Sequence, residues 1–152
     1  MSPYVVAIDH PSLQLMVGPF VERLRGESRR FDRRSASNPK PFPSLVRKVS
    51  DNTRHRFGVV ENGALIGMAS LSRDGEVAMA VAAHRRGRGI GTMLLDHVVR
   101  RAQLIGLRRL VMESSRRSKP VAALGGRFGW TAYELGRGRV ELVLDLRDRR
   151  TG

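Results

Sequence analysis

The chain has 152 residues, of which 28 are lysine or arginine and 14 are aspartate or glutamate, so its formal net charge is +14. This length suits one domain with a sizeable core, and the 41% share of hydrophobic residues is typical of a globular protein. The absence of cysteine excludes a disulfide framework, a thiolate nucleophile and a thiolate metal site. Because no run is long and apolar enough to span a bilayer and the start is not leader-like, we expect a cytoplasmic protein without a membrane partner.

The positive charge comes almost wholly from arginine, since the sequence contains only three lysines: Lys40, Lys48 and Lys119. Such a charge attracts polyphosphate ligands, acidic proteins and nucleic acids alike, and a solvated arginine-rich surface has the same composition. Basic and aromatic residues do not alternate as a base-stacking platform requires. Nucleic acid is therefore not an expected partner.

The first third of the chain reads as a strand followed by helices. The apolar run 3–8 predicts a strand, and residues 9–31 have the apolar spacing of a helix. The Gly18-Pro19 pair interrupts that spacing, so we expect two short helices rather than one. Residues 29–43 are polar with three prolines near their end, which predicts a loop or a mobile lid, and 44–49 predict a short helix.

The middle of the chain predicts three antiparallel strands. Residues 55–61 and 64–71 flank Asn62-Gly63, the sequence most typical of a tight hairpin turn. A second turn at 73–75 leads into a third apolar run, 76–82.

The next segment predicts a helix between two parallel strands. One helix face carries apolar residues at spacings of three and four: Ile90, Leu94, Leu95, Val98, Val99, Ala102 and Ile105. Gly106 is placed to end this helix, and 108–114 reads as a buried strand parallel to the preceding one. A short helix at 120–127, a core tryptophan at Trp130 and a last strand at 139–146 follow.

These elements predict one α+β domain over residues 1–152. Its mixed central sheet has six to seven strands, antiparallel in the N-terminal part and parallel across the strand–helix–strand unit, with helices on both faces. Within it we distinguish an N-terminal part (1–54), a core region (55–146) and a basic tail (147–152).

A glycine-rich turn stands where the long helix begins, in the stretch HRRGRGIGTMLL at 84–95. Its glycines alternate with other residues: Gly87, Gly89 and Gly91. Glycine allows close backbone approach, and the amides and dipole of a helix N-terminus favour phosphate, while Arg86 and Arg88 add charged donors. Neither the dinucleotide spacing nor a Gly-Lys-Ser/Thr sequence is present. The turn therefore predicts a site for a different pyrophosphate ligand.

The segment RRGRGIG resembles the Q/R-x-x-G-x-G/A signature of the GNAT acetyltransferase superfamily, read here as Arg86, Gly89 and Gly91. The resemblance extends over about residues 55–146, where FGW at 128–130 stands in place of the family's Gly-Phe. The N-terminal third and the run EVAMAV also resemble, more loosely, the Pat-type protein lysine acetyltransferases.

This resemblance implies acetyl-CoA as the acetyl donor and the GNAT fold. The pyrophosphate would bind the backbone amides of the glycine-rich turn: Arg86, Gly87, Arg88, Gly89, Ile90, Gly91 and Thr92. The pantetheine arm would pair like an extra strand with Met79, Ala80 and Val81, and a backbone amide there would hold the thioester carbonyl. Ser118 stands where the family often has asparagine. Plain core positions are the alternative for Met79 and Val81.

Glu76 is the candidate general base, because it begins the strand with the thioester site, where the Pat-type branch has a glutamate. Direct transfer needs a neutral amine, so a group must accept the proton of the acceptor ammonium. We expect desolvation to raise the pKa of Glu76 towards neutrality. The alternative is an exposed turn residue beside Asp74 and Gly75.

One family feature is missing. Many relatives have a tyrosine that reprotonates the departing thiolate four residues before the Gly-Phe pair, and this sequence has Gly125 there. Water or Tyr133 would have to replace it. No grouping of histidine and carboxylates has the spacing of a metal site, so we expect no metal.

The function that these features predict is N-acetyl transfer from acetyl-CoA to a primary amine by direct attack in a ternary complex. The acceptor would be a protein lysine or a small-molecule amine, and a homodimer is compatible with the family. A non-catalytic acyl-CoA sensor or interaction module with the same fold is the alternative, which Gly125 keeps open. A nucleic-acid binder is the third reading, with no recognition helix to support it.

Overall fold

A computed structural model describes residues 2–9, 11–32, 42–82, 89–115 and 129–147. These contain seven strands and three helices in the order β1 Tyr4–Ala7, α1 Pro11–Asp32, α2 Phe42–Ser50, β2 His55–Glu61, β3 Ala64–Leu71, β4 Val77–Val81, α3 Ile90–Leu104, β5 Arg109–Ser115, β6 Thr131–Gly136 and β7 Arg139–Asp145. No helix in this part of the chain is long and apolar enough to cross a membrane.

The first four strands form an antiparallel sheet in the order β1-β2-β3-β4. Its β2–β3 hairpin has the predicted bounds, and Asn62 and Gly63 turn with φ angles of 52° and 77°. Positive φ at both positions is the geometry of a type I′ turn, whose twist matches that of the flanking strands. The prediction of three consecutive antiparallel strands is confirmed.

The last three strands form a second antiparallel sheet in the order β5-β7-β6. The sequence analysis did not predict β6, whose six residues are all exposed. β5 is buried on one face rather than throughout, since Leu110 and Met112 are buried while Arg109 and Glu113 are exposed. The predicted mixed sheet therefore consists of two antiparallel sheets.

The two sheets meet at one parallel bridge, between Glu76 at the start of β4 and Val111 on β5. The amide of Val111 donates to the carbonyl oxygen of Gly75 over 2.9 Å. Gly75 has a φ of 98°, and a Cβ added there would overlap the carbonyl oxygen of Arg109. Only glycine meets both requirements. The prediction that the strands before and after α3 run parallel is therefore confirmed. Within the described residues they pair only at Glu76 and Val111.

α1 is one continuous helix, so the expectation of two short helices was wrong. Pro19 lies inside it, where a proline removes one helical hydrogen bond and costs about 3 kcal/mol. Leu15, Gly18 and Pro19 lie on the exposed face, where water can reach the carbonyl that lost its donor. Burial of the opposite face, which includes Phe20 and Leu24, offsets that cost.

α3 confirms the predicted apolar face, apart from one residue. Its buried side chains are Ile90, Leu94, Leu95, Val98, Val99 and Ala102, whereas Ile105 is largely exposed beyond the helix end. Gly106 follows with a φ of 82°. The amides of Gly106 and Leu107 donate to the carbonyls of Gln103 and Ala102, which is the Schellman ending typical of glycine.

The core lies on both faces of the first sheet. α1 and α2 cover one face, where Phe20, Val49 and Met68 are buried, and α3 covers the other. The α3 side is shared by both sheets, since Leu94 packs in one cluster with Leu110 and Leu144.

Glycine at position 67 lets α3 approach β3 closely. A Cβ at Gly67 would lie 2.9 Å from Cγ2 of Ile90 and 3.2 Å from Cδ1 of Leu94. The first turn of α3 therefore rests directly on the backbone of the sheet.

Some predicted features lie outside the described residues. The predicted lid at 29–43 is helical at both of its ends, since 29–32 continue α1 and 42–43 begin α2, and 33–41 are not described. The predicted short helix at 120–127 also falls outside them.

We predict that Gly75→Ala destabilises the fold by about 2–5 kcal/mol, because it adds overlap with β5 to the strain of a positive φ. Gly63→Ala is the matched control, since Gly63 has a positive φ but nothing within 4 Å of its Cβ position. The control should lose only about 1–2 kcal/mol. Urea denaturation of both variants measures the difference, and equal losses would contradict the role of Gly75 in joining the sheets.

Candidate functional site

The pairing between the two sheets stops directly after the Glu76–Val111 bridge, and we call the space between β4 and β5 beyond this point the gap. β4 continues to pair with β3 as far as Val81, whereas the described residues show no further pairing of β4 with β5. The side chains of Met79 and Val81 pack against the core on the α3 side, and Ala80 is buried on the other side. The structure thus shows the divergence of strands that the resemblance implied, while the contacts of Met79, Ala80 and Val81 with a ligand stay predictions.

The N-terminus of α3 follows β4 and begins at a left-handed glycine. Gly89 has a φ of 79° and a ψ of 7° and caps the helix without a side-chain hydrogen bond. Its carbonyl accepts the first helical bond, from the amide of Met93. The first amides of a helix have no intrahelical acceptor, and the first turn of α3 contains no acidic residue. Gly89 to Thr92 can therefore offer amides and a positive dipole end to an anion.

Other residues predicted for the donor site lie outside the described residues: Arg86, Gly87, Arg88 and Ser118. Gly125, which occupies the place of the family's tyrosine, lies outside them as well. Their roles stay predictions.

Glu76 lies between two cationic side chains. Its Oε2 accepts a hydrogen bond of 3.1 Å from Nζ of Lys48 on α2, and its Oε1 accepts one from Nη2 of Arg54, just before β2. Arg54 is nearly buried and also donates to Oγ of Ser70 over 2.9 Å, and Ser70 is fully buried. The backbone amide of Glu76 donates to Oγ of Ser72. This carboxylate is therefore fixed in place, which a mobile turn residue would not be.

The pKa of Glu76 lies below its ordinary value of 4.5, so the expected rise towards neutrality was wrong. Burial on its own raises the pKa, but the hydrogen bonds and charges of Lys48 and Arg54 outweigh it. Glu76 is consequently ionised at neutral pH. It can receive a proton there, but it holds that proton only weakly.

The ion-pair partners of Glu76 could not be predicted from local sequence. Lys48 and Arg54 precede Glu76 by 28 and 22 residues, and nothing in either local pattern distinguishes them from the other basic residues. Lys48 reaches Glu76 because α2 packs over β4. Arg54 reaches it because β2, which follows Arg54, and β4, which follows Glu76, both pair with β3.

The remaining candidates lie away from this cluster. Trp130 is buried in the core, as expected, and Tyr133 lies exposed on β6. His97 on α3 is half-buried, and its ring centroid lies 6.2 Å from that of Phe57. Nδ1 of His55 lies 3.3 Å from Nη1 of Arg101. Within the described ranges, no three histidine, aspartate or glutamate side chains are grouped to hold a metal ion.

The family model described as Acetyltransferase (GNAT) family matches residues 21–130. The chain belongs to the GNAT acetyltransferase family. The match includes Glu76, the gap after it, the glycine-rich turn and α3. The GNAT fold seen here and the acetyltransferase class of the chain follow from this membership.

Solved structures of GNAT proteins share the fold. The GNAT domain of PAT from S. lividans is 22% identical with a TM-score of 0.70, covering 93% of this chain and 89% of that chain. The putative acetyltransferase yncA from Salmonella typhimurium, solved with its cofactor acetyl-CoA, is 15% identical with a TM-score of 0.70, covering 99% and 98%. The paiA N-acetyltransferase from Thermoplasma acidophilum, solved with coenzyme A, is 12% identical with a TM-score of 0.71, covering 95% and 99%.

We predict that Lys48→Met raises the pKa of Glu76, because it removes one of the two cations that lower it. NMR titration of the Glu76 carboxyl carbon measures this pKa directly. Arg25→Met is the matched control, since Arg25 pairs at 2.8 Å with exposed Glu22 on α1.

The sign of the accompanying stability change follows from linkage. A carboxylate with a lowered folded-state pKa stabilises the fold above its unfolded pKa, and this contribution is lost as the pH falls through the lowered value. Lys48→Met should therefore reduce stability at pH 7 and make less difference at pH 3. An unchanged pKa of Glu76 would show that Lys48 does not hold the carboxylate in solution.

Proposed function

We propose that the chain is an acetyl-CoA-dependent N-acetyltransferase that acts on a primary amine by direct attack in a ternary complex. The observation that carries this proposal is the separation of β4 from β5 directly after Glu76, beside the glycine-initiated N-terminus of α3. Together with membership of the GNAT family, it supports a site in which Glu76, the edge of β4 and the first amides of α3 act together.

The donor side of the proposed site is built from backbone. The strand edge at Met79 to Val81 would hold the pantetheine arm, and the first amides of α3 would hold the pyrophosphate. Bound acetyl-CoA supplies an activated acetyl carbon, to which the amine nitrogen bonds while the C–S bond breaks. Gly89 suits this role because its left-handed backbone lets the chain enter the helix with its amides unobstructed.

Glu76 is proposed as the group that receives the proton of the acceptor amine. An alkylammonium with a pKa of about 10 gives up little of its proton to a carboxylate whose pKa is below 4.5. The fraction of the amine that is already neutral attacks the acetyl carbon, and its nitrogen becomes far more acidic as the C–N bond forms. Glu76 therefore receives the proton that this nitrogen loses, while the C–S bond breaks and coenzyme A leaves as a thiolate. Lys48 and Arg54 act as positioning residues that keep the carboxylate charged and oriented.

A non-catalytic acyl-CoA sensor is the second candidate. The observation that favours it is the pairing of Glu76 with two cations, which leaves its charge largely compensated. Gly125 in place of the usual tyrosine agrees with it. In this alternative, binding of acetyl-CoA is retained while no amine is acetylated.

We predict that Glu76→Gln lowers kcat by about 10²–10⁴-fold and leaves the affinity for acetyl-CoA unchanged. Glutamine keeps the shape of the side chain but cannot receive a proton. Calorimetric titration measures the affinity, with ATP and DNA as controls for plain anion binding. Glu22→Gln on the exposed face of α1 is the matched control for turnover.

Each outcome of this comparison separates the candidates. Saturable binding that prefers acetyl-CoA, with turnover lost only in Glu76→Gln, supports the enzyme. Turnover that survives Glu76→Gln would remove Glu76 as the proton acceptor. If the native protein binds acetyl-CoA but acetylates no amine or protein substrate in a screen, the non-catalytic sensor is the better explanation.

We also predict that kcat/KM rises between pH 6 and 9 without an inflection near neutrality. Glu76 is already ionised throughout this range because Lys48 and Arg54 lower its pKa, so only the acceptor amine titrates. Initial rates at saturating acetyl-CoA measure the profile. An inflection near pH 7 that disappears in Glu76→Gln would instead show a base with a raised pKa.

A further inference from the structure

A cavity of about 240 Å³ lies at the end of the first sheet, where β1 ends and β2 begins. Its walls come from the end of β1, the first turns of α1, the start of β2 and the last turn of α3. Three arginines line it: Arg54, Arg56 and Arg101. The proposed acetyl-transfer chemistry uses none of this space.

Arg56 is a buried cation that has no anionic partner among the described residues. Its side chain is 4% exposed. One nitrogen donates to Oε1 of Gln14 and another to the carbonyl of Ser50 over 3.4 Å, while its buried Nε has no hydrogen-bond partner among the described residues. No carboxylate of the described chain lies within ion-pair distance of it. Burial lowers the pKa of Arg56, and the more distant Asp51 opposes this only in part.

Such an arrangement is costly in a folded protein. Buried charges are normally paired, because transfer of an unpaired ion out of water costs several kcal/mol. Gln14 and Ser50 supply neutral acceptors only. The anion that would balance the charge of Arg56 is not among the described side chains. We therefore expect a ligand in the adjacent cavity to supply it.

Arg101, in the last turn of α3, adds another cation to the lining. Its guanidinium lies 5.3 Å from the ring centroid of Phe57 and contacts Nδ1 of His55. It makes no ion pair with the described residues. Asp9 also lines the cavity, but it is exposed and pairs with neither Arg56 nor Arg101. The lining of this partly open cavity therefore has an excess of positive charge.

We infer that this cavity binds a small oxyanion, a carboxylate or a phosphate, between Arg56 and Arg101. Guanidinium groups bind both chemistries through paired N–H donors. The volume admits such an ion with several waters, since one water takes about 30 Å³. Arg54 lines the cavity and also holds Glu76, so a single side chain connects the anion site with the proposed acetyl-transfer site.

The test measures thermal stabilisation by inorganic phosphate and by acetate at constant ionic strength. Arg101→Gln should weaken the saturable response about tenfold or more, whereas the native protein and Arg100→Gln should respond equally. Arg100 is the matched control, because it is exposed on the same helix and loses the same charge. Any phosphate bound at the start of α3 acts alike in both variants and cancels.

Arg56→Met provides a second, independent variant. It should lose the part of the phosphate response that depends on Arg101 and, without phosphate, be at least as stable as the native protein, because it removes an unpaired buried charge. If Arg56→Met does not fold, the comparison of Arg101→Gln with Arg100→Gln still decides. Equal responses of the native protein and both arginine-to-glutamine variants would overturn the inference.

Glycine and glycinamide, two small amines that differ in a carboxylate, separate the two sources of the anion. Binding of glycine that depends on Arg101 and is displaced by phosphate would mean that the site holds the carboxylate of an amine ligand. Arg101-dependent binding of phosphate but not glycine would mean a free anion. Both results support the site, and because both are binding measurements, they stand or fall separately from the acetyltransferase proposal.

Discussion

The architecture depends on the contact between Gly75 and β5. Here the amide of Val111 meets the carbonyl of Gly75, and the backbone of Arg109 occupies the space of a side chain. One parallel bridge joins the two sheets at this point, and the described residues show no pairing of β4 with β5 beyond it. A longer β4–β5 pairing would close the gap, whereas the loss of this bridge would leave only the shared core under α3 to hold the sheets together.

The same junction sets the position of Glu76, and the surrounding charges set its chemistry. Because Glu76 follows Gly75 directly, its carboxylate is held at the mouth of the gap, where Lys48 and Arg54 reach it from α2 and the turn before β2. Burial and cationic contacts act in opposite directions on its pKa, and the contacts prevail. The lowered pKa makes Glu76 a weaker base, but it keeps the carboxylate ionised over the whole physiological pH range.

The sequence predicted correctly those elements whose bounds depend on interactions between residues close together in the chain. The Asn62-Gly63 turn set the bounds of a hairpin, and a regular apolar spacing set α3. The prediction failed where a distant contact decides. Burial of one face carries α1 past Pro19, and β6 forms only because β7 pairs with it. In the site, Glu76 was chosen from its place at the start of the third apolar run and from the resemblance to Pat-type enzymes, and its role stays a prediction. Its ion pairs join residues far apart in the chain, so local sequence could not predict them.

The close approach at Gly67 has a consequence for how tolerant the chain is to change. Gly67 faces the first turn of α3, and a methyl group there would press on Ile90 and Leu94. The helix would have to rise from the sheet, and its leading amides would move with it. The residue at position 67 is thus constrained by the short distance between α3 and β3. A larger residue there would displace the first amides of α3 and weaken anion binding, although none of the residues that offer these amides would have changed.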